Sequence, residues 1–175
     1  MGNKLIITQY TDPMCIWCYG LEPSMRKIDF LNPDRVEFHN VMGILVGDVK
    51  EIIGEGPFAA MKFAQLKTQM TEHFKDAADR SGMPVSTEHM RDKKPEDVTS
   101  LTMSQAFEAM RHFGEDKANR YLRRIREAAH ADDMPAAREE TLIALSQESG
   151  VDKAEFEAVL HSEEAKNNLL KDQMI

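Results

Sequence analysis

The stretch Tyr10-Thr11-Asp12-Pro13-Met14-Cys15-Ile16-Trp17-Cys18-Tyr19-Gly20 decides the fold. Before it, Lys4 to Tyr10 reads Lys-Leu-Ile-Ile-Thr-Gln-Tyr, a β-branched and apolar run with no helical period, which predicts a buried strand. Thr11-Asp12-Pro13 breaks that run. From Cys15 onward, Trp17, Leu21, Ile28 and Leu31 recur at spacings of four, seven and three, one face of a helix that Asn32-Pro33-Asp34 ends. Pro23 lies inside this helix and predicts a kink or a restart. Val36 to Asn40 alternates apolar and polar, a second strand extending toward Leu45. Strand, helix and strand in the first fifty residues form a right-handed crossover with parallel strands, the opening unit of an α/β fold.

Cys15-Ile16-Trp17-Cys18 falls where the strand gives way to the helix, the setting in which a CxxC pair reads as redox-active. Three residues apart at a helix start, the two sulfurs lie within one turn and can close a small disulfide loop, the first exposed and the second tucked inward. Free N–H groups and the helix dipole favour a thiolate at Cys15. The dipole is worth only about 0.3–1 kcal/mol against about 1.36 kcal/mol per pKa unit, so direct N–H···S⁻ bonds must supply the rest. Asp12 and Glu22 oppose the shift, which predicts an activated but not extremely acidic thiol.

Three other readings stand beside this one. A lone CxxC can be half of a zinc site, but His39, His73, His89, His112, His130 and His161 never pair at ligand spacing, and no metal is expected. The cysteines can be small buried hydrophobes, against which their position after Thr11-Asp12-Pro13 argues. Trp17 can be core filler or, at a loop tip, a contact surface.

After Gly54-Glu55-Gly56-Pro57 the chain turns to helical spacing almost to its end. Helices are expected over 57–80, 99–113, 116–129, 135–148, 152–161 and 163–172, with 81–98 a loop. Pro135 suits a first helical turn, and Gly114 and Gly150 the residue just past a helix end. The expected division is therefore a βαβ unit with the CxxC pair in 1–53 and a helical domain in 54–175.

Of the 175 residues 42% are hydrophobic and 30% charged, which is globular usage, and the formal net charge of −8 repels nucleic acid and anionic membranes. Arg120, Arg123, Arg124 and Arg126 form a basic stripe among Glu115, Asp116, Glu127, Asp132 and Asp133, read as a solvated helix face. Met1-Gly2-Asn3-Lys4 leads into only three apolar residues, too few for a signal peptide, and no run approaches membrane-spanning length. A soluble cytoplasmic protein is expected, whose cysteine pair rests reduced.

The segment from Tyr10 to Gly20, with its D-P-x-C-x-W-C-Y-G pattern, resembles the active-site segment of the DsbA-like oxidoreductases, particularly bacterial cytoplasmic members described as predicted dithiol-disulfide isomerases. Tyr121-Leu122 and the stretch from Glu139 to Leu160 are weakly similar to that family's inserted helical domain. The resemblance implies a thioredoxin-like α/β fold with a large all-helical insertion, Cys15 as attacking thiol and Cys18 as resolving thiol. Pro13, Ile16 and Trp17 are the expected substrate-binding positions, and no cofactor is expected. Family members close with a strand carrying a cis-proline, a further strand and a helix, which this sequence lacks. Met83-Pro84-Val85, in a polar loop, does not supply that element. The fold is therefore expected to be incomplete, in a truncated or naturally shortened form, with the missing strand pairing supplied by a second copy in a homodimer or by unusual packing.

Thiol-disulfide exchange on a disulfide-containing protein or a small thiol is the leading functional expectation. The alternative is an adaptor that binds a protein partner without turnover, for which methionines such as Met61, Met70, Met103 and Met110 could line an adaptable surface. Glutathione-dependent isomerases and transferases on a similar scaffold usually use Ser where this chain has a Cys pair.

Overall fold

A computed structural model describes residues 4–174; the readings at Met1–Asn3 and at the last residue, Ile175, lie outside them. The chain runs β1 (Leu5–Thr11), α1 (Ile16–Leu31), β2 (Val36–Met42), α2 (Lys50–Ile53), α3 (Ala59–Ser81), α4 (Leu101–Arg111), α5 (Glu115–His130), α6 (Glu139–Glu148), α7 (Lys153–Leu160) and α8 (Glu163–Asp172). Short 3-10 turns at Glu88–Met90 and Pro95–Asp97 interrupt the loop after α3. The expected strand–helix–strand unit and the helical remainder are both present. The single turn α2 is too short to show a period in sequence.

β1 and β2 are parallel, with Leu5 opposite Val36 and Thr11 opposite Met42. They make a two-stranded sheet among the described residues, so the far edge of β1 has no strand beside it there. Side chains alternate along a strand, which puts Ile7, Gln9 and Thr11 on one face and Ile6, Thr8 and Tyr10 on the other. The first face is partly or fully covered, whereas all three residues of the second are exposed. The expectation of a buried strand is thus corrected: only one face of β1 is covered, α1 and α8 packing against β2 beside it, and a periodless apolar run does not reveal how many layers flank it.

α1 continues through Pro23 with no restart. It leaves Phe30 82% exposed, with Leu31 also exposed. α6 begins at Glu139, four residues after Pro135. Arg138 is its extended N-cap residue, and the Arg138 guanidinium pairs with buried Asp97 at 2.7 Å, so residues 136–138 turn before the helix begins. Gly82 ends α3 in the left-handed conformation at φ 70°, and Gly150 sits beyond α6 at φ 72°, positions where a Cβ would be strained.

The main core joins α4, α5, α6, α7 and α8 around Phe107, Tyr121, Leu122, Ile125 and Phe156, and it reaches Met14 and Met42 of the βαβ unit. A smaller cluster of Ile16, Tyr19, Phe74, Ala77 and Met90 ties α1 to α3 and to the following loop. The Tyr19 hydroxyl donates to the Pro84 carbonyl at 3.2 Å, fastening that loop to α1, and no described peptide bond is cis.

Where α4 meets α8 and the end of β2, two acids lie together. Glu108 is 1% exposed beside Arg111, and Asp172, its other neighbour, accepts the Met42 N–H at 2.7 Å. Burial, opposed by Arg111 and aided by Asp172, pushes the Glu108 carboxyl from 4.5 up to about 7. The folded chain therefore retains a proton that the unfolded chain has released. Its stabilising effect is complete below the unfolded value and is lost as pH rises through the folded one. Glu108→Gln should flatten this loss: from about pH 5 to about pH 8 the variant should gain on the order of 1–3 kcal/mol relative to the parent chain. Urea unfolding at the two pH values checks it, and parallel pH profiles would contradict it.

Candidate active site

The turn between β1 and α1 is built on Asp12. Its carboxylate accepts the Met14 N–H at 2.7 Å and the Leu45 N–H at 2.8 Å, which clamps the segment after β2 onto the CxxC turn. Asp12 is buried, and burial raises its pKa against these bonds, the Ser100 hydroxyl and the field of Arg126. Asp12 is thus a structural clamp as well as the nearby charge expected from sequence.

Cys15 is the N-cap of α1: its backbone is extended, and its Sγ accepts the Cys18 N–H at 3.2 Å. This is the expected bond from a free helix N-terminus to sulfur. Both cysteines are unbridged and half-buried, so the exposed-and-tucked contrast expected from sequence is weak here. The S–H of one hydrogen-bonds to the other sulfur. Cys18 is thereby pulled below the ordinary thiol range, helped against burial by the Thr11 hydroxyl, the Asp12 N–H and the charge of Arg126. Cys15 is held above that range by the same sulfur–sulfur bond and by burial, opposed by N–H groups of Cys18 and Trp17. The pair as a unit gives up its first proton readily and keeps the second. Sequence reasoning put the charge on Cys15. The structure instead places additional donors around Cys18, the Thr11 hydroxyl and the Asp12 N–H, which favour the charge there.

Of the three expected substrate-binding positions, Pro13 and Ile16 are buried, Ile16 within the cluster that holds α1 to α3. Trp17 is 41% exposed. Its indole N–H donates to His73 Nε2 at 3.1 Å, the two rings standing edge to face, so α3 fixes the indole beside the sulfurs. A cleft of about 710 Å³ opens over the pair, lined by Cys15, Cys18, Tyr10, Ile44, Leu45 and Gln173 among others.

Arg126 corrects the reading of the basic stripe as a solvated face. Arg123 and Arg124 pair at the surface with Glu127, Asp132 and Glu148, but Arg126 is 1% exposed, bonded to Glu22 of α1 and to the Thr11 hydroxyl oxygen. The physical reason is helical phase. Arg126 follows Leu122 by four residues and precedes Ala129 by three, on the buried side of α5. Thr11, Arg126 and His73 are the site residues that the sequence reading missed, whereas Glu22 was expected only as a nearby charge; helical phase was the available signal for Arg126. The one group of three possible metal ligands among the described residues, Glu139, Glu157 and His161, contains neither cysteine.

A family model described as thioredoxin matches residues 9–175. The chain belongs to that family. Among curated proteins, the ClpXP adapter protein SpxH of Halalkalibacterium halodurans is 28% identical over 164 residues, covering 93% of this chain and 51% of its own length. The SpxH of Bacillus subtilis is 23% identical over 173 residues, covering 99% and 54%. The chain thus spans about half the length of the curated relatives it matches. Among solved structures, a proposed protein disulfide isomerase from Nitrosomonas europaea superposes with a TM-score of 0.79 at 18% identity, over 98% of this chain and 78% of that one. The cytosolic disulfide reductase DsbM from Pseudomonas aeruginosa gives 0.73 at 18% identity, over 97% and 77%. At that identity the likeness is one of fold. No described helix is long and apolar enough to cross a membrane.

Proposed function

We propose that the chain exchanges disulfides through Cys15 and Cys18. The observation that carries this reading is the pair itself: two half-buried, unbridged sulfurs at the start of α1, one capped by a backbone N–H at 3.2 Å, opening on a common cleft. The Cys15 thiolate attacks one sulfur of a substrate disulfide; that S–S bond breaks, and the departing thiolate takes up a proton. The Cys18 thiolate then attacks Cys15 Sγ in the mixed disulfide, releasing the second substrate thiol and leaving Cys15 and Cys18 bridged. The substrate gains two electrons and the protein loses them. A small thiol resets the pair, and the reverse sequence donates a disulfide.

The substrate is a disulfide-bearing protein or a small thiol such as glutathione, with which DsbM has been solved. It meets the exposed indole of Trp17, while Pro13 and Ile16 set the turn from beneath. Residues 1–53 carry the chemistry and 54–175 the helical support, in a cytoplasmic setting where such a pair rests reduced.

Titration of the Cys15–Cys18 couple against glutathione, with thiol trapping, tests the reading. One intramolecular disulfide should close in a single transition. A potential near about −270 mV would indicate a reductase and one near about −120 mV a disulfide donor. Failure to form a disulfide at any poise would sink the proposal. An adaptor role is the second reading, favoured by the SpxH relatives and by the exposed apolar residues Leu5, Ile6, Tyr10, Phe30 and Leu31. Partner binding retained by Cys15→Ser would support it.

A further inference from the structure

We propose that Arg126, delivered from α5, is a positioning residue that sets the reduction potential of the cysteine pair through Thr11. This rests on the disulfide-exchange reading above. The Arg126 guanidinium donates one N–H to the Thr11 hydroxyl oxygen and another to Glu22. With that N–H bonded to the oxygen, the Thr11 hydroxyl hydrogen is left to point away from the guanidinium, toward Cys18 Sγ, which lines the same cleft as Thr11 and whose thiol the Thr11 hydroxyl helps to acidify. Arg126, Thr11 and Cys18 thus form a chain of donors that ends on sulfur.

The chain is shielded from water: Thr11 is 4% exposed and Arg126 1%. A hydrogen bond there is stronger than at the surface, and the next donor in line polarises it further. Glu22, with its side chain 14% exposed, screens much of the guanidinium's field, so the hydroxyl is the main path and Glu22 a brake upon it. A donor on the thiolate is lost when the sulfur enters a disulfide. The relay therefore stabilises the reduced form and makes the disulfide more oxidising, as any stabiliser of the reduced form does.

The sign of each effect follows. Thr11→Val keeps the side chain's shape and the Arg126–Glu22 pair while deleting the relay. It should favour the disulfide by roughly tenfold in the equilibrium with glutathione, a shift of about 30 mV to more negative potential. Arg126→Met should shift it the same way. Glu22→Gln, which frees the guanidinium's field, should shift it the opposite way. A role confined to packing would not produce these opposed signs.

The experiment is the glutathione titration of the parent chain and the three variants, with thiolate absorbance followed against pH as a second readout. Expected are a more negative potential and a less acidic thiol in Thr11→Val, and the reverse in Glu22→Gln. If Arg126→Met does not fold, these two variants still decide. A parent chain that forms the disulfide, with potentials in both variants within twofold of its own equilibrium, overturns the relay and leaves the exchange reading standing. A parent chain that forms no disulfide overturns both.

Discussion

Cys15→Ser is expected to lower disulfide exchange by roughly a thousandfold or more, the scale on which removal of an enzyme's nucleophile acts. The attacking species is an anion, and a serine hydroxyl is not ionised at a pH where the thiol pair already shares a charge. Stability should scarcely change, because position 15 is the N-cap of α1, and serine caps a helix at least as well by accepting the N–H that Cys15 Sγ accepts at 3.2 Å. Cys18→Ser should behave differently: the first attack proceeds, nothing resolves it, and the chain accumulates as a mixed disulfide. Turnover of a glutathione-bearing disulfide peptide, with mass spectrometry of the trapped protein, reads both. A Cys15→Ser chain that retains a tenth of the parent rate would remove Cys15 as nucleophile.

What could be read from sequence divides by the range of the interactions involved. β1, α1 and β2 were legible because a strand's alternation, a helix's period and the break at Thr11-Asp12-Pro13 are local signals. So was the Cys15 cap, which needs only a free N–H three residues on. The exposure of Ile6 and Tyr10 was not, since it depends on what lies across the sheet. Nor was the bond from Trp17 to His73, 56 residues away in the chain. Arg126 was misread for a different reason: its charge suggested solvent, although its phase with Leu122 and Ala129 placed it inside. A buried guanidinium is tolerated there because Glu22 and Thr11 receive it, and neither partner is near in sequence.

Phe156→Ala is expected to produce the largest loss of stability of any substitution considered, about 3–5 kcal/mol, lowering Tm by roughly 6–20 °C in a chain of this size. α7 has only 8 residues, too few to hold helical shape alone, so it depends on what its buried face touches. Phe156 is fully buried there, its ring edge to face with Tyr121 at 5.5 Å and tilted toward Phe113 at 6.5 Å. Tyr121 cannot swing into the space left behind, because its hydroxyl donates to the Leu142 carbonyl at 2.7 Å. The cavity should therefore stay largely open, the condition that puts a truncation at the costly end of its range. Tyr121→Phe separates packing from polarity: it keeps the ring and removes one buried hydrogen bond, so it should cost about 1–3 kcal/mol. Thermal and urea unfolding of both variants measure the difference. If Phe156→Ala costs no more than Tyr121→Phe, α7 collapses onto the core, and its ring is not what holds the helix in place.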